Sequence, residues 1–174
     1  SSLESILSLP DSSSNSIDDD SPIVGICDNE NKQKADELLE KFLERNNLQH
    51  ELIFKWSKLK TDNKWTLYAL KANSVLSNNE IMNSSISKED NMESVNIYIS
   101  FNEEGSKIWK EITGSNIGKN ISIVIDNEVF FSPKIMSEIT GGNCMITGSF
   151  NELDAKLISS IIQYQPLPLY FKIN

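Results

Sequence analysis

One histidine, one arginine and two cysteines are all that 174 residues offer of the side chains most used in metal binding, phosphate recognition and nucleophilic relays. A Ser-His-Asp or Cys-His relay would have to use His50, which sits where a strand is expected to start, and no G-x-S-x-G elbow accompanies it. With no H-E-x-x-H pattern there is also no transition-metal ligand set. No catalytic residue, metal or cofactor is therefore expected. Cys27 and Cys144 are too few for a disulfide framework and too far apart for a C-x-x-C motif. They read as small buried apolar residues, with a single long-range disulfide as the alternative. The only arginine is Arg45, the lysines are scattered, and the net charge is −9. Nucleic acid and anionic membrane surfaces, which need clustered Lys and Arg, are not expected as partners. No run approaches the ~18 to 20 apolar residues of a membrane-spanning helix, and no basic segment precedes an apolar one at the N-terminus. The length suffices for a hydrophobic core without staples, which rules out an obligate zinc or disulfide miniprotein.

Two superficially chemical motifs have plainer readings. Gly114 to Lys119 looks like a phosphate loop, but the G-x-x-x-x-G-K-[ST] spacing is absent and Asn120 stands where the Mg-binding hydroxyl should be. A glycine-containing turn from helix to strand accounts for it. Glu103-Glu104 fall at a predicted helix N-terminus, where carboxylates meet the helix dipole favourably and need no catalytic role.

The acidic excess is unevenly placed. Residues 1 to 21 contain nine serines, Glu4, Asp11 and the triplet Asp18-Asp19-Asp20, and no base, leaving the other 153 residues at −4. Such a segment buries too little to offset its ordering entropy, so residues 1–21 are expected to be a disordered tether. The Asp triplet lacks the alternating ligands, glycine and distal Glu of an EF-hand loop. The composition suits a leader that holds an exported domain away from a membrane.

Alternating strands and helices begin at Pro22. Ile23 to Cys27 suits a buried strand. Ala35, Leu38, Leu39, Phe42 and Leu43 define an amphipathic helix that stops at Asn46-Asn47. Leu52 to Trp56 and Trp65 to Ala69 alternate about the polar break Lys60-Thr61-Asp62-Asn63, as a hairpin does. The polar stretch 73 to 91 follows. In the second half Val95, Ile97, Ile99 and Phe101 share one face of a strand, and Asn102 caps a helix carrying Ile108, Trp109 and Ile112. Strands are expected at Asn120 to Ile125 and Val129 to Ile135, about an Asp126-Asn127 turn, and at Cys144 to Thr147 after Gly141-Gly142. Asn151 and Asp154 form a capping pair for a helix expected to bury Leu153, Leu157, Ile158, Ile161 and Ile162. Leu167 to Ile173 alternate as a final strand. The fold class is α+β, with helices on mostly antiparallel sheets: β-α-β-β followed by β-α-β-β-β-α-β. The expected domains are 22–80 and 81–174, after the tether.

Several of these motifs occur together in one known family. Phe101-Asn102-Glu103-Glu104-Gly105, Ile112-Thr113 and Asn116-Ile117-Gly118-Lys119-Asn120 before an apolar strand ending in Asp126 resemble the first periplasmic domain of the SecD/SecDF protein-export family. The likeness continues through Ser132-Pro133, Ile139-Thr140-Gly141-Gly142, Ile146 to Phe150 and Leu167-Pro168, covering about residues 93 to 173. Gln165-Pro166 replaces the family's usual Gly-Ala, and the six transmembrane helices that carry proton coupling in SecD have no counterpart here. The resemblance implies the head subdomain of an export accessory factor that contacts translocating polypeptide outside the membrane.

The expectation is thus a non-enzymatic, extracytoplasmic binding module for unfolded polypeptide or an envelope protein, with an N-terminal anchor as an option. The alternative is a secreted or lipid-anchored structural domain that binds a folded protein or a glycan. An open sheet edge binds extended chain by strand addition. Phe130, Phe131 and Pro133 are the candidate polypeptide-binding residues, with one of the two phenylalanines expected to face the core.

Overall fold

The computed structural model describes residues 3–8, 21–57, 63–88, 95–147, 150–164 and 169–173. The Asp18–Asp20 triplet, Gly148-Ser149, Gln165-Pro166 and Leu167-Pro168 lie outside the described residues. In chain order the elements are β1 (Ile23–Asp28), α1 (Lys32–Asn46), β2 (Leu52–Trp56), β3 (Lys64–Lys71), β4 (Leu76–Ser77), β5 (Ile81–Lys88), β6 (Val95–Phe101), α2 (Glu103–Ser115), β7 (Ile121–Ile125), β8 (Glu128–Phe131), β9 (Asn143–Ile146), α3 (Glu152–Tyr164) and β10 (Leu169–Ile173). The class is α+β. The chain forms two compact units, Ser1–Ser74 with Gly118–Lys134 and Phe171–Asn174, and Val75–Ile117 with Ile135–Tyr170.

In the first unit β3 runs antiparallel between β1 and β2, with Cys27 opposite Trp65 and Phe54 opposite Ala69. The helix α1 ends at Asn47, whose left-handed conformation turns its N–H back onto the carbonyls of Leu43 and Glu44. Its apolar face brings Ala35 and Leu39 onto Cys27, Trp56, Trp65 and Leu67. The opposite face of the sheet contributes Leu70, which packs with Val124 and Val129 of β7 and β8. Strand β7 is buried at every position, as a strand covered on both faces must be.

Part of the expected tether belongs to this unit. Leu3–Ser5 form a 3-10 turn, Ile6 is buried in the α1 cluster, and Ser8 exchanges backbone hydrogen bonds of 2.9 and 2.8 Å with Ile26. Leu3, Ile6 and Leu7 recur at helical spacing amid the serines, and that local spacing outweighs the polar average of the segment.

The second unit is built on the antiparallel sheet β5–β6–β9. Val95, Ile97, Ile99 and Phe101 are buried on one face of β6 while Tyr98 points outward, as the alternation requires. Trp109 of α2 packs on Phe101 with ring centroids 5.2 Å apart. Strand β5 occupies the stretch read from sequence as polar connection. Its outward residues Asn83, Ser85 and Ser87 are exposed and mask the period, while Ser84 is buried against α3.

Helix α3 corrects a second expectation. It buries Ala155, Ile158, Ser159 and Ile162, whereas Leu153 and Leu157 are 77% and 60% exposed. Two apolar stripes compete on this helix, and the stripe with small residues wins because it permits close approach to β5. There the Ser84 and Ser159 hydroxyls are 3.0 Å apart, and the Ser84 amide donates to Gln163 Oε1 at 2.6 Å. Strand β8 is also shorter than expected. It ends at Phe131, because Pro133 has no amide to donate, and pairing resumes past it, where the Pro133 carbonyl accepts from Ile121 N at 3.0 Å and Lys134 forms an isolated bridge with Asn120.

Candidate functional site

The β7–β8 hairpin carries the residues singled out from sequence. Asp126 and Asn127 turn it with φ of 49° and 67°, the doubly left-handed geometry that suits a two-residue hairpin. Val129 faces the core, and Phe131 lies opposite Ile123. Phe130, Phe131 and Pro133 are each half-buried. Ser57, just past β2, meets the outer edge of β8 through a parallel bridge to Val129. The edge is therefore engaged at Val129, and the stretch from Phe130 to Pro133 continues beyond that bridge.

The tip of the same hairpin forms one wall of a cleft of about 470 Å³, whose other walls are α1 and β2. Leu39, Leu43, Phe54 and Trp56 supply its apolar surface. Carboxylates come from two of these elements: Asp36 and Glu40 from α1, and Asp126 and Glu128 from the hairpin. Two lysines oppose them. Lys32 pairs with Asp36 at 3.4 Å, and its ammonium lies over the rings of Trp56 and Trp65, 5.3 and 5.2 Å from their centroids. Lys55 donates to Asn127 Oδ1. Burial lowers the Lys55 pKa, and the neighbouring Asp36 opposes that effect. Asp36 also accepts from Trp56 Nε1 at 2.6 Å, which fixes the indole in the wall. Sequence reasoning missed this cleft, since α1, β2 and the hairpin tip are brought together by topology and no local pattern links them.

The sequence motifs of the second half serve the backbone. Asn102 Oδ1 caps α2 by accepting from Gly105 N at 2.8 Å. A Cβ at Gly105 would stand 2.7 Å from Glu80 Cβ, so the first turn of α2 requires glycine there. The buried hydroxyl of Thr113 donates to Trp109 O at 2.8 Å and accepts from Ile139 N at 2.9 Å, fixing the loop before Gly141-Gly142. Gly142 has φ +66°, and a Cβ there would meet Ser106 Oγ at 2.4 Å. Asn120 donates to Ser132 O at 2.8 Å, tying β7 to the segment after β8.

A family model described as the SecDF P1 head subdomain matches residues 53–169, more than half of the chain. The chain belongs to the SecDF P1 head family. The match begins upstream of the motifs recognised from sequence and takes in β2 to β5 of this P1 head domain. Proteins named protein translocase subunit SecD are similar to it. That of Calditerrivibrio nitroreducens is 33% identical over 106 residues, covering 61% of this chain and 20% of that protein. That of Rickettsia conorii is 38% identical over 104 residues, covering 60% and 20%. The P1 head domain thus spans about a fifth of the length of these relatives. A solved structure described as a membrane component SecDF that enhances protein export aligns with 76% of this chain and 58% of its own, at 25% identity and a TM-score of 0.48.

The remaining sequence candidates of the P1 head domain fall outside any site. His50 is exposed in the turn before β2, and Glu103 pairs with Lys107 at 2.8 Å along α2. Cys27 and Cys144 are free and buried. Burial pushes the Cys144 thiol up to about 12, and the Cys27 thiol also upward with help from Asp36. Among the described residues no group of three or more His, Cys, Asp or Glu side chains is placed to hold a metal, and no helix is long and apolar enough to cross a membrane.

Proposed function

We propose that this P1 head domain is a non-catalytic binding module that works outside the cytoplasmic membrane and contacts polypeptide in the cell envelope. Family membership carries the reading: the relatives are named protein translocase subunits, and a translocase component must meet extended chain. The binding surface in this reading is the segment Phe130, Phe131 and Pro133, beyond the Ser57–Val129 bridge. Half-buried phenylalanines beside a strand end offer apolar contacts to a chain that adds along the strand. The division into segments 22–80 and 81–174, and an N-terminal lipid anchor ahead of the Ser/Asp-rich opening, belong to the same proposal. Titration of a permanently unfolded polypeptide against the wild type, Phe130→Ser and Phe131→Ser tests it. Weakened binding by at least one variant is expected, and equal affinity in all three, or no binding by the wild type, would refute it.

A second reading is favoured by α3. Leu153, Leu157 and Tyr164 lie on one face of that helix and are 77%, 60% and 80% exposed. An apolar helix stripe of this kind suits a folded protein partner, as in a structural or surface-interaction domain. Retention of polypeptide binding in Leu153→Ser/Leu157→Ser, with loss of a complex detected by light scattering, would assign the stripe to that role.

A further inference from the structure

We propose that the cleft between α1, β2 and the β7–β8 tip is a pocket for a cationic side chain, the arginine or lysine of an extended polypeptide; this occupant rests on the polypeptide reading above. The cavity, about 470 Å³, is large enough for a long side chain and part of its backbone. Its apolar surface, Phe54 and Trp56 in particular, suits the aliphatic stem of such a residue. Four carboxylates and two lysines line it, and both lysines are engaged, Lys32 with Asp36 and the indoles and Lys55 with Asn127. The side-chain carboxylates of Glu40 and Asp126, by contrast, make no hydrogen bond or ion pair among the described residues. Lys32 already displays the chemistry, a cation held between an aromatic face and a carboxylate. The cleft is continuous with the hairpin, since Glu128 lines it and opens the strand that leads to Phe130 and Phe131. A basic residue would enter the cleft at the hairpin tip, on one side of the Ser57–Val129 bridge, and Phe130 and Phe131 lie on the other.

The test uses the full chain and two labelled, unstructured peptides of Gly, Ser and Leu, alike except for a central Arg or Gln. In low salt the Arg peptide should bind roughly tenfold more tightly, and the preference should fade as salt rises. Glu40→Gln/Asp126→Asn should abolish the preference while leaving affinity for the Gln peptide unchanged; Asn keeps the left-handed turn accessible. In parallel, N-acetylarginine methylamide should shift the Trp56 indole N–H resonance in the wild type and not in the double variant. Peptides that bind without an Arg preference, or a preference that survives in the double variant, overturn the pocket and leave the polypeptide reading standing. If neither peptide binds but the arginine amide shifts the indole, the cation pocket stands and the polypeptide reading falls. Silence of both probes overturns the proposal.

Discussion

Thr113 offers a test of what the family motif does. Its side chain is fully buried, donates to Trp109 O at 2.8 Å and accepts from Ile139 N at 2.9 Å. Thr113→Val keeps the shape and removes the hydroxyl, so the packing contribution is nearly constant and the hydrogen bonds are isolated. Loss of the bond to Trp109 O costs little, because that carbonyl still accepts the helical bond from the amide of residue 113. The Ile139 amide is the expensive partner, since it loses a net bond of about 1 kcal/mol and is left to find water, at about 1 to 3 kcal/mol where burial is complete. Ile139 is only half-buried, so the lower half of that range applies and about 1.5 kcal/mol is expected. Thr113→Ser keeps both bonds and deletes a buried methyl, for about 1 kcal/mol. The two energies are too close to separate the causes, which makes amide exchange the deciding assay. Ile139 protection should collapse in Thr113→Val and persist in Thr113→Ser, with urea titrations giving the energies. Unchanged Ile139 protection in Thr113→Val, or a cost below about 0.5 kcal/mol, would refute the reasoning.

Trp109→Ala should lower stability by about 3 to 5 kcal/mol in denaturant unfolding, since the ring is buried against Phe101; a cost under about 1 kcal/mol would contradict that burial. The Cys144 thiol, raised by burial from 9.0 to about 12, keeps its proton more firmly in the folded chain than in the unfolded one. Its contribution is complete below pH 9 and is lost as pH climbs towards 12, at about 1.4 kcal/mol per unit. Lys55 and Lys172, lowered chiefly by burial, act with the opposite sign in alkali, so the comparison must be with Cys144→Ala. The stability difference between wild type and that variant should shrink by about 1.4 kcal/mol between about pH 8 and 10, and a difference independent of pH would count against the burial argument.

The elements legible in the sequence are those where one periodicity dominates. The β6 alternation, the Trp109 face of α2 and the Asp126-Asn127 turn each have a single local solution, and the structure adopts it. Where two patterns overlap, tertiary packing chooses. On α3 the larger residues Leu153 and Leu157 lose to Ala155 and Ser159, because contact with β5 rewards close approach over side-chain size. Strand β5 itself reads as connection because one of its faces is Asn and Ser, and its strand character comes from pairing with β6. The cleft was invisible for a related reason. Asp36, Lys55 and Asp126 share no sequence neighbourhood, and the chain meets itself there only after β2 and the β7–β8 hairpin have docked around one core.

The division of labour between motifs and cleft yields a separable pair of effects. Gly105, Thr113, Asn120 and Gly142 serve the fold: a close helix approach, a half-buried loop amide, the carbonyl before Pro133 and a left-handed turn. None of them lines the cleft. Substitution at Thr113 should therefore cost folding free energy while leaving the Arg-over-Gln preference of the folded protein intact. Glu40 and Asp126 are exposed and their side-chain carboxylates make no hydrogen bond or ion pair among the described residues, so removing their charge should abolish that preference with little change in stability. If Thr113→Val erased the preference at concentrations where the protein is still folded, the motif would be acting on the binding surface, and the assignment of these residues to the fold alone would fail.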